Sequence, residues 1–260
     1  MTTTIACGQF EAVPANAGAN LGLMRGQARE AAGRGASLIV FPELALSGYL
    51  PAEQLRSSAV GLASPEIAEA RAIARECAIA IAVGFAERAV DGRLHDSMAF
   101  VEADGTLRSI YRKVHLFGSE GAWAAAGEGF ESFESAGIRM GMWICYDTRF
   151  PEAARSLALS GATLCLAATA WFGPSDEWEL ALRARAMDNG IVTAGAALQG
   201  TALGQPLRGA SAIVDPHGRL LAGAREGTRE VITAIYDQAA VESFRERLPL
   251  LRHRRPGAYG

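Results

Sequence analysis

Between residues 16 and 34 the apolar positions Leu21, Met24, Ala28 and Ala31 recur at helical spacing, and Gly33 and Gly35 stand where such a helix would stop. From residue 36 the period changes: Ala36-Ser-Leu-Ile-Val-Phe-Pro-Glu43 is a continuous apolar run, the pattern of a buried strand over 36–42. Ser64-Pro65-Glu66 combines a capping hydroxyl, a proline at the first helical position and an acid at the positive end of the helix dipole. It predicts a helix whose buried stripe is Ile67, Ala70, Ala74 and Cys77. A strand follows over 78–84, and strands over 97–101 and 106–111 flank Asp104-Gly105, a hairpin turn signal.

Beyond residue 145 the alternation resumes. A helix is predicted over 151–160, an apolar strand over 163–168, a helix over 177–189 and a strand over 191–197. Strands over 211–214 and 219–222 flank Pro216-His217-Gly218 as a second hairpin, and 231–236 closes the series. Helices alternating with strands, with hairpins mixed in, imply an α/β fold of mixed sheets covered by helices. No linker rich in Ser, Pro or Gly divides the chain, so residues 1–260 are expected to form a single domain.

Three apolar runs end on reactive groups. Residues 140–144 stop at Cys145, 36–42 at Glu43, and the run Thr106-Leu-Arg-Ser-Ile-Tyr-Arg-Lys-Val-His115 delivers Lys113. Reactive groups of α/β proteins collect at the carboxyl ends of strands, so a base, a cation and a nucleophile are expected to converge. A free thiol titrates at about 8.5, so it needs a nearby cation or a base to become a nucleophile at neutral pH. Glu43 and Lys113 supply one of each.

Half of the residues are hydrophobic, a fifth are charged and the net charge is −3, which suits a well-filled core and gives no reason to expect a nucleic-acid partner. The N-terminus lacks a basic start with a long apolar segment, no run is long enough to cross a bilayer, and Cys7, Cys77, Cys145 and Cys165 are widely spaced. A cytoplasmic location, free thiols and no membrane partner are expected. Cys7, Cys77 and Cys165 lie in apolar stripes and read as packing residues. His95, His115, His217 and His253 lack ligand spacing, so neither a metal nor another cofactor is expected. The glycines over 118–129 carry no phosphate-binding fingerprint and read as a flexible loop.

With these residues in place the chain resembles the nitrilase (carbon-nitrogen hydrolase) superfamily. The resemblance rests on Phe41-Pro-Glu43 with Ser47-Gly48-Tyr49, on Tyr111-Arg-Lys-Val-His-Leu-Phe117, and on Ile144-Cys-Tyr-Asp-Thr-Arg-Phe-Pro-Glu152. Arg183-Ala-Arg-Ala-Met-Asp-Asn189 and Gly209-Ala-Ser-Ala-Ile-Val-Asp-Pro-His-Gly218 extend it toward the C-terminus. It implies a four-layer α-β-β-α sandwich and a Glu43, Lys113, Cys145 triad that hydrolyses a small amide through a thioester. A second glutamate is implied after the lysine block; Glu120 is preferred to Glu128. Tyr49, Tyr146, Trp171 and Arg149 are the expected substrate-binding residues, with Trp123 and Phe172 as further pocket candidates. Asp147 reads as an acceptor for turn N–H groups, and His115 as a packing or hydrogen-bonding residue.

True nitrilases typically follow the nucleophile with Trp-Glu, whereas Tyr146-Asp147 is similar to amidase-type branches, so an amide is favoured over a nitrile. Ala168 stands where proline is common and Glu177 where histidine often precedes the tryptophan, which prevents transfer of a named substrate. N-carbamoyl amino acid hydrolysis, nitrile hydrolysis and a silent binding protein are the rival readings. By resemblance, the tail at 248–260 is expected at a homodimer interface.

Overall fold

The computed structural model describes residues 1–259. Its first half runs β1 (Thr2–Gln9), α1 (Ala17–Gly33), β2 (Ala36–Val40), α2 (Ala52–Ser58), α3 (Pro65–Cys77), β3 (Ala80–Arg88), β4 (Leu94–Val101) and β5 (Leu107–Arg112). Next come β6 (Phe133–Ser135), β7 (Ile138–Ile144), α4 (Pro151–Leu159), β8 (Leu164–Thr169), α5 (Ser175–Asn189), β9 (Val192–Ala197), β10 (Gln199–Ala202) and β11 (Gln205–Arg208). The chain ends with β12 (Ala212–Val214), β13 (Leu220–Gly223), β14 (Glu230–Asp237) and α6 (Gln238–Arg247). Gly260, the last residue of the expected tail, lies outside the described residues.

Two six-stranded sheets form, ordered β14-β1-β2-β3-β4-β5 and β13-β12-β9-β8-β7-β6. Each is mixed, as the interleaved hairpins require: β1, β2 and β3 run parallel while β14 and β4 pair antiparallel to them. Side chains of the first sheet such as Ile5, Val40, Met98 and Phe100 share one core with Met140, Ile144, Leu166 and Ala194 of the second. On its other face the first sheet packs against α1 and α3 through Met24, Ala28, Ile67 and Ile73. Trp178 and Leu182 of α5 and Leu157 of α4 cover the second sheet, completing the four expected layers.

The long periodic elements lie close to where the pattern predicts them. Ser64 caps α3 with its hydroxyl, accepting from Ile67 N at 3.4 Å, and Pro65 opens it. Ala78 leaves that helix in the left-handed region at φ 51°, which delays β3 to residue 80. Ile73 takes the deep place in the stripe and Cys77 is only half-buried. The short elements α2, β6, β10 and β11 escape the pattern because each offers a single buried side chain or none with a period. The segment 118–129 departs from the expected open loop. It contains a 3₁₀ turn at Glu120–Ala122, buries Trp123 and Ala124, and brings Gly127 so near the Arg112 carbonyl that a Cβ would lie 2.1 Å from it. No helix among the described residues is long and apolar enough to cross a membrane.

Candidate active site

Glu43 lies three residues past β2, in a turn that passes directly over Gly84 of β3. A Cβ at Gly84 would stand 2.4 Å from Pro42 O and 2.7 Å from Glu43 Cα, so the missing side chain sets how deep the turn sits. Leu44, the next residue, takes φ 50°. The buried Glu43 carboxylate accepts from Lys113 Nζ at 2.6 Å through Oε1 and from Ala170 N at 2.6 Å through Oε2.

Lys113 follows β5 directly. Its main chain is tied on both sides, with N donating to Asp96 O and its carbonyl accepting from Gly127 N, each at 2.8 Å. The ammonium is fully buried and has three protons. It meets three carboxyls: Glu43 at 2.6 Å, Glu120 Oε1 at 2.8 Å and Asp96 Oδ2 at 3.4 Å. Burial opposes its charge, but Glu43 foremost among its acidic neighbours raises it well above the usual lysine range. Oxygens of Glu43, Asp96 and Glu120 lie within 4.8 Å of one another, a spacing that would suit a metal ion; the Lys113 ammonium is the cation among them.

Glu120 rides on the 3₁₀ turn and faces inward. Tyr49 OH donates to its Oε1 at 2.8 Å and Phe117 N to its Oε2 at 2.7 Å. Burial pushes this carboxyl above its ordinary value, with Lys113 pulling the other way. Glu128, the alternative, is exposed and lines a different cavity beside Arg112 and His95.

Cys145 begins a 3₁₀ turn at the end of β7 with φ 45°, a left-handed conformation that side chains other than glycine enter at a cost. Asp147 braces this turn. Its carboxylate accepts from Ile144 N at 3.0 Å, Tyr111 OH at 2.6 Å, His115 N at 2.9 Å and His115 Nδ1 at 2.8 Å. The strand end bearing the thiol is thereby fastened to the segment bearing Lys113. His115 also stacks on Phe150 with centroids 3.6 Å apart, in agreement with its expected packing role.

Cys145 Sγ stands 4.0 Å from Ala170 O, and Ala170 N bonds Glu43, so thiol and carboxylate flank a single residue. Burial drives the thiol well above its ordinary value; the Glu43 charge adds to this and Lys113 opposes it.

The thiol opens onto a cavity of about 340 Å³ lined by Phe117, Cys145, Tyr146, Arg149, Trp171 and Phe172. Of the expected substrate residues, Tyr146, Trp171 and Arg149 line it. Tyr49 stands behind, its ring against Phe172 at 4.8 Å and its hydroxyl on Glu120. Trp123 is in a separate cluster with Leu44, Leu50 and Leu55. Arg149 lies over the Trp171 ring at 4.8 Å and pairs with Glu177, an acid 28 positions away that spacing cannot reveal. Two residues escaped sequence reasoning. Phe117 had been read only as part of the lysine block. Asp96 left one signal, a charged residue two positions before the apolar run Met98–Val101 of β4.

The carbon-nitrogen hydrolase family matches residues 4–246. A Schizosaccharomyces pombe protein named as a probable nitrilase is 35% identical over 77% of this chain and 75% of its own length. The omega-amidase NIT2 of Homo sapiens is 32% identical, covering 89% of this chain and 87% of its own. Among solved structures, an amidase from Nesterenkonia sp. superposes with a TM-score of 0.86 at 28% identity over 99% of this chain and 95% of its own. In a glutamate-to-glutamine mutant of the amidase from Nesterenkonia sp. AN1, the acetamide moiety of fluoroacetamide is covalently added at the active-site cysteine.

Proposed function

We propose, from the premise that this chain belongs to the carbon-nitrogen hydrolase family, that it hydrolyses small, uncharged primary amides to the acid and ammonia through a thioester on Cys145. The observation that carries the reading is the meeting of Glu43, Lys113 and Cys145 from three strand ends beneath one aromatic cavity.

Burial and the Glu43 charge both disfavour the thiolate, so Glu43, across Ala170 from the thiol, is the base that takes its proton as sulfur attacks the amide carbon. Glu43 keeps lone pairs free for this while accepting from Lys113 and Ala170, since a carboxylate offers about four acceptor sites. The Lys113 ammonium and the backbone N–H of Tyr146 stabilise the oxyanion. Glu43 returns the proton to the leaving nitrogen, ammonia departs, and water activated by Glu43 cleaves the thioester. Glu120 holds Lys113 in place. Tyr146 and Trp171 enclose the acyl group, and the pairing of Arg149 with Glu177 supports an uncharged one.

The test is ammonia release from primary amides, omega-amido acids, N-carbamoyl amino acids and nitriles, with Cys145→Ala beside the parent. Release from simple amides is expected, with the variant lower by about 10⁴-fold. Equal release by both proteins would remove Cys145 as nucleophile; preference for an omega-amido acid, N-carbamoyl compound or nitrile would overturn the substrate class. A homodimer joined through the exposed tail, where Leu248 and Tyr259 are each more than half exposed, accompanies this reading, and sedimentation of the parent against a chain ending at residue 247 checks it.

Gly84→Ala makes a second check, beneath the turn that carries Glu43. Pushing the Glu43 turn outward is expected to cost about 1–3 kcal/mol by overpacking and about 100-fold in turnover by misplacing the base. Melting and steady-state rates measure the two effects separately.

A further inference from the structure

Glu43 and Glu120 each receive donors on both carboxylate oxygens. Asp96 is different. It is fully buried, its Oδ2 is 3.4 Å from Lys113 Nζ, and its Oδ1 accepts from no donor among the described residues. Three ionised carboxyls against one ammonium would leave two uncompensated charges on buried groups, and burying unpaired charge is among the costliest arrangements in a protein. Apolar sites hold carboxylic acids neutral for this reason.

We propose that Asp96 is held as a neutral carboxylic acid and is a positioning residue, fixing the Lys113 ammonium between Glu43 and Glu120 without adding a charge that would oppose ionisation of Cys145. The groups that face it are Glu43 from the turn after β2, Lys113 after β5 and Glu120 on its 3₁₀ turn, with Tyr49 behind Glu120. Glu87, His95 and Arg112 belong to the register positions on the opposite face of the sheet. Burial first, and then the charge of Glu43, push the Asp96 carboxyl upward, in the same direction as the hydrogen-bond pattern.

The inference builds on the amidase reading, but two of its three tests measure no amide hydrolysis. Infrared difference spectra of the parent and Asp96→Asn at neutral pH should show a protonated-carboxyl stretch in the parent that the variant lacks; its absence from the parent overturns the proposal. The rate of Cys145 alkylation by iodoacetamide is then followed against pH in a Cys77→Ser background, since Cys77 is the other thiol within reach of solvent. Asp96→Asn should leave that profile in place. A shift to lower pH would mean that a negative charge had been removed, and would overturn it. In turnover, Asp96→Asn is expected to stay within about 3-fold of the parent while Asp96→Leu, which leaves the third ammonium proton unmet, falls by about 30-fold or more. Equal losses in both variants would assign Asp96 a necessary charge, and equal retention would deny it a positioning role. If Asp96→Leu fails to fold, the infrared and alkylation arms on Asp96→Asn still decide the question.

Discussion

Lys113→Met is expected to abolish measurable amide turnover and to lower stability by about 3–5 kcal/mol, the usual cost of removing one partner from a buried charge pair. Methionine fills much of the same volume, so lost packing would account for little of the effect. What remains are Glu43 with a donor on Oε2 alone, Glu120 with Tyr49 and Phe117 as its donors, and a third carboxyl beside them. The loss should depend on pH in a definite sense. Asp96 and Glu120 already sit above their ordinary values of 3.8 and 4.5, raised chiefly by burial, and Lys113 opposes that rise in each. Without the ammonium both rise further. Carboxyls raised in the folded state make it bind more protons than the unfolded chain, so stability is retained below those ordinary values and lost as pH climbs through the raised ones. The melting temperature of Lys113→Met should therefore approach that of the parent in mild acid and fall away toward neutrality. A constant deficit across pH would mean that the lysine acts by packing alone.

Glu43→Gln separates a base from a brace. The amide offers one oxygen where two donors, Lys113 Nζ and Ala170 N, now find acceptors, and turnover is expected to fall by about 10²- to 10⁴-fold through loss of general-base catalysis. The thiol should move the opposite way. The Glu43 charge helps to hold Cys145 above its ordinary value, so its removal lets the thiolate form at lower pH. Faster alkylation near neutrality combined with slower turnover is the signature of a missing base. If alkylation and turnover slow together, Glu43 serves only to shape the chamber.

The convergence of Glu43, Lys113 and Cys145 was legible because each lies where an apolar run gives way to a polar group, and that boundary is what places a side chain at a sheet edge. Asp147 was legible too, as a short acid beside a turn, and it accepts there from Ile144 N and His115 N. Asp96 was hidden for the converse reason. It sits in the polar stretch His95-Asp-Ser97, ahead of the strand expected from residue 97, and only the second sheet closing over β4 turns that face inward. Gly84 carries no chemistry, and its importance lies entirely in a turn that passes 2.4 Å from a Cβ it does not have. The left-handed backbone of Cys145 was likewise invisible, since nothing about a cysteine announces positive φ.

The division of the chamber between two sheets bears on how the molecule comes into being. Glu43, Asp96, Lys113 and Cys145 all leave the ribosome within the first 145 residues, yet the floor of the chamber is Ala170 at the end of β8. The first sheet stays unfinished for longer still, because β1 waits for β14 to pair residue 2 with residue 237. Contacts so distant along the chain form late and slowly. A nascent or interrupted chain thus holds every catalytic side chain and no working site, so hydrolysis begins only once synthesis has passed the final strand.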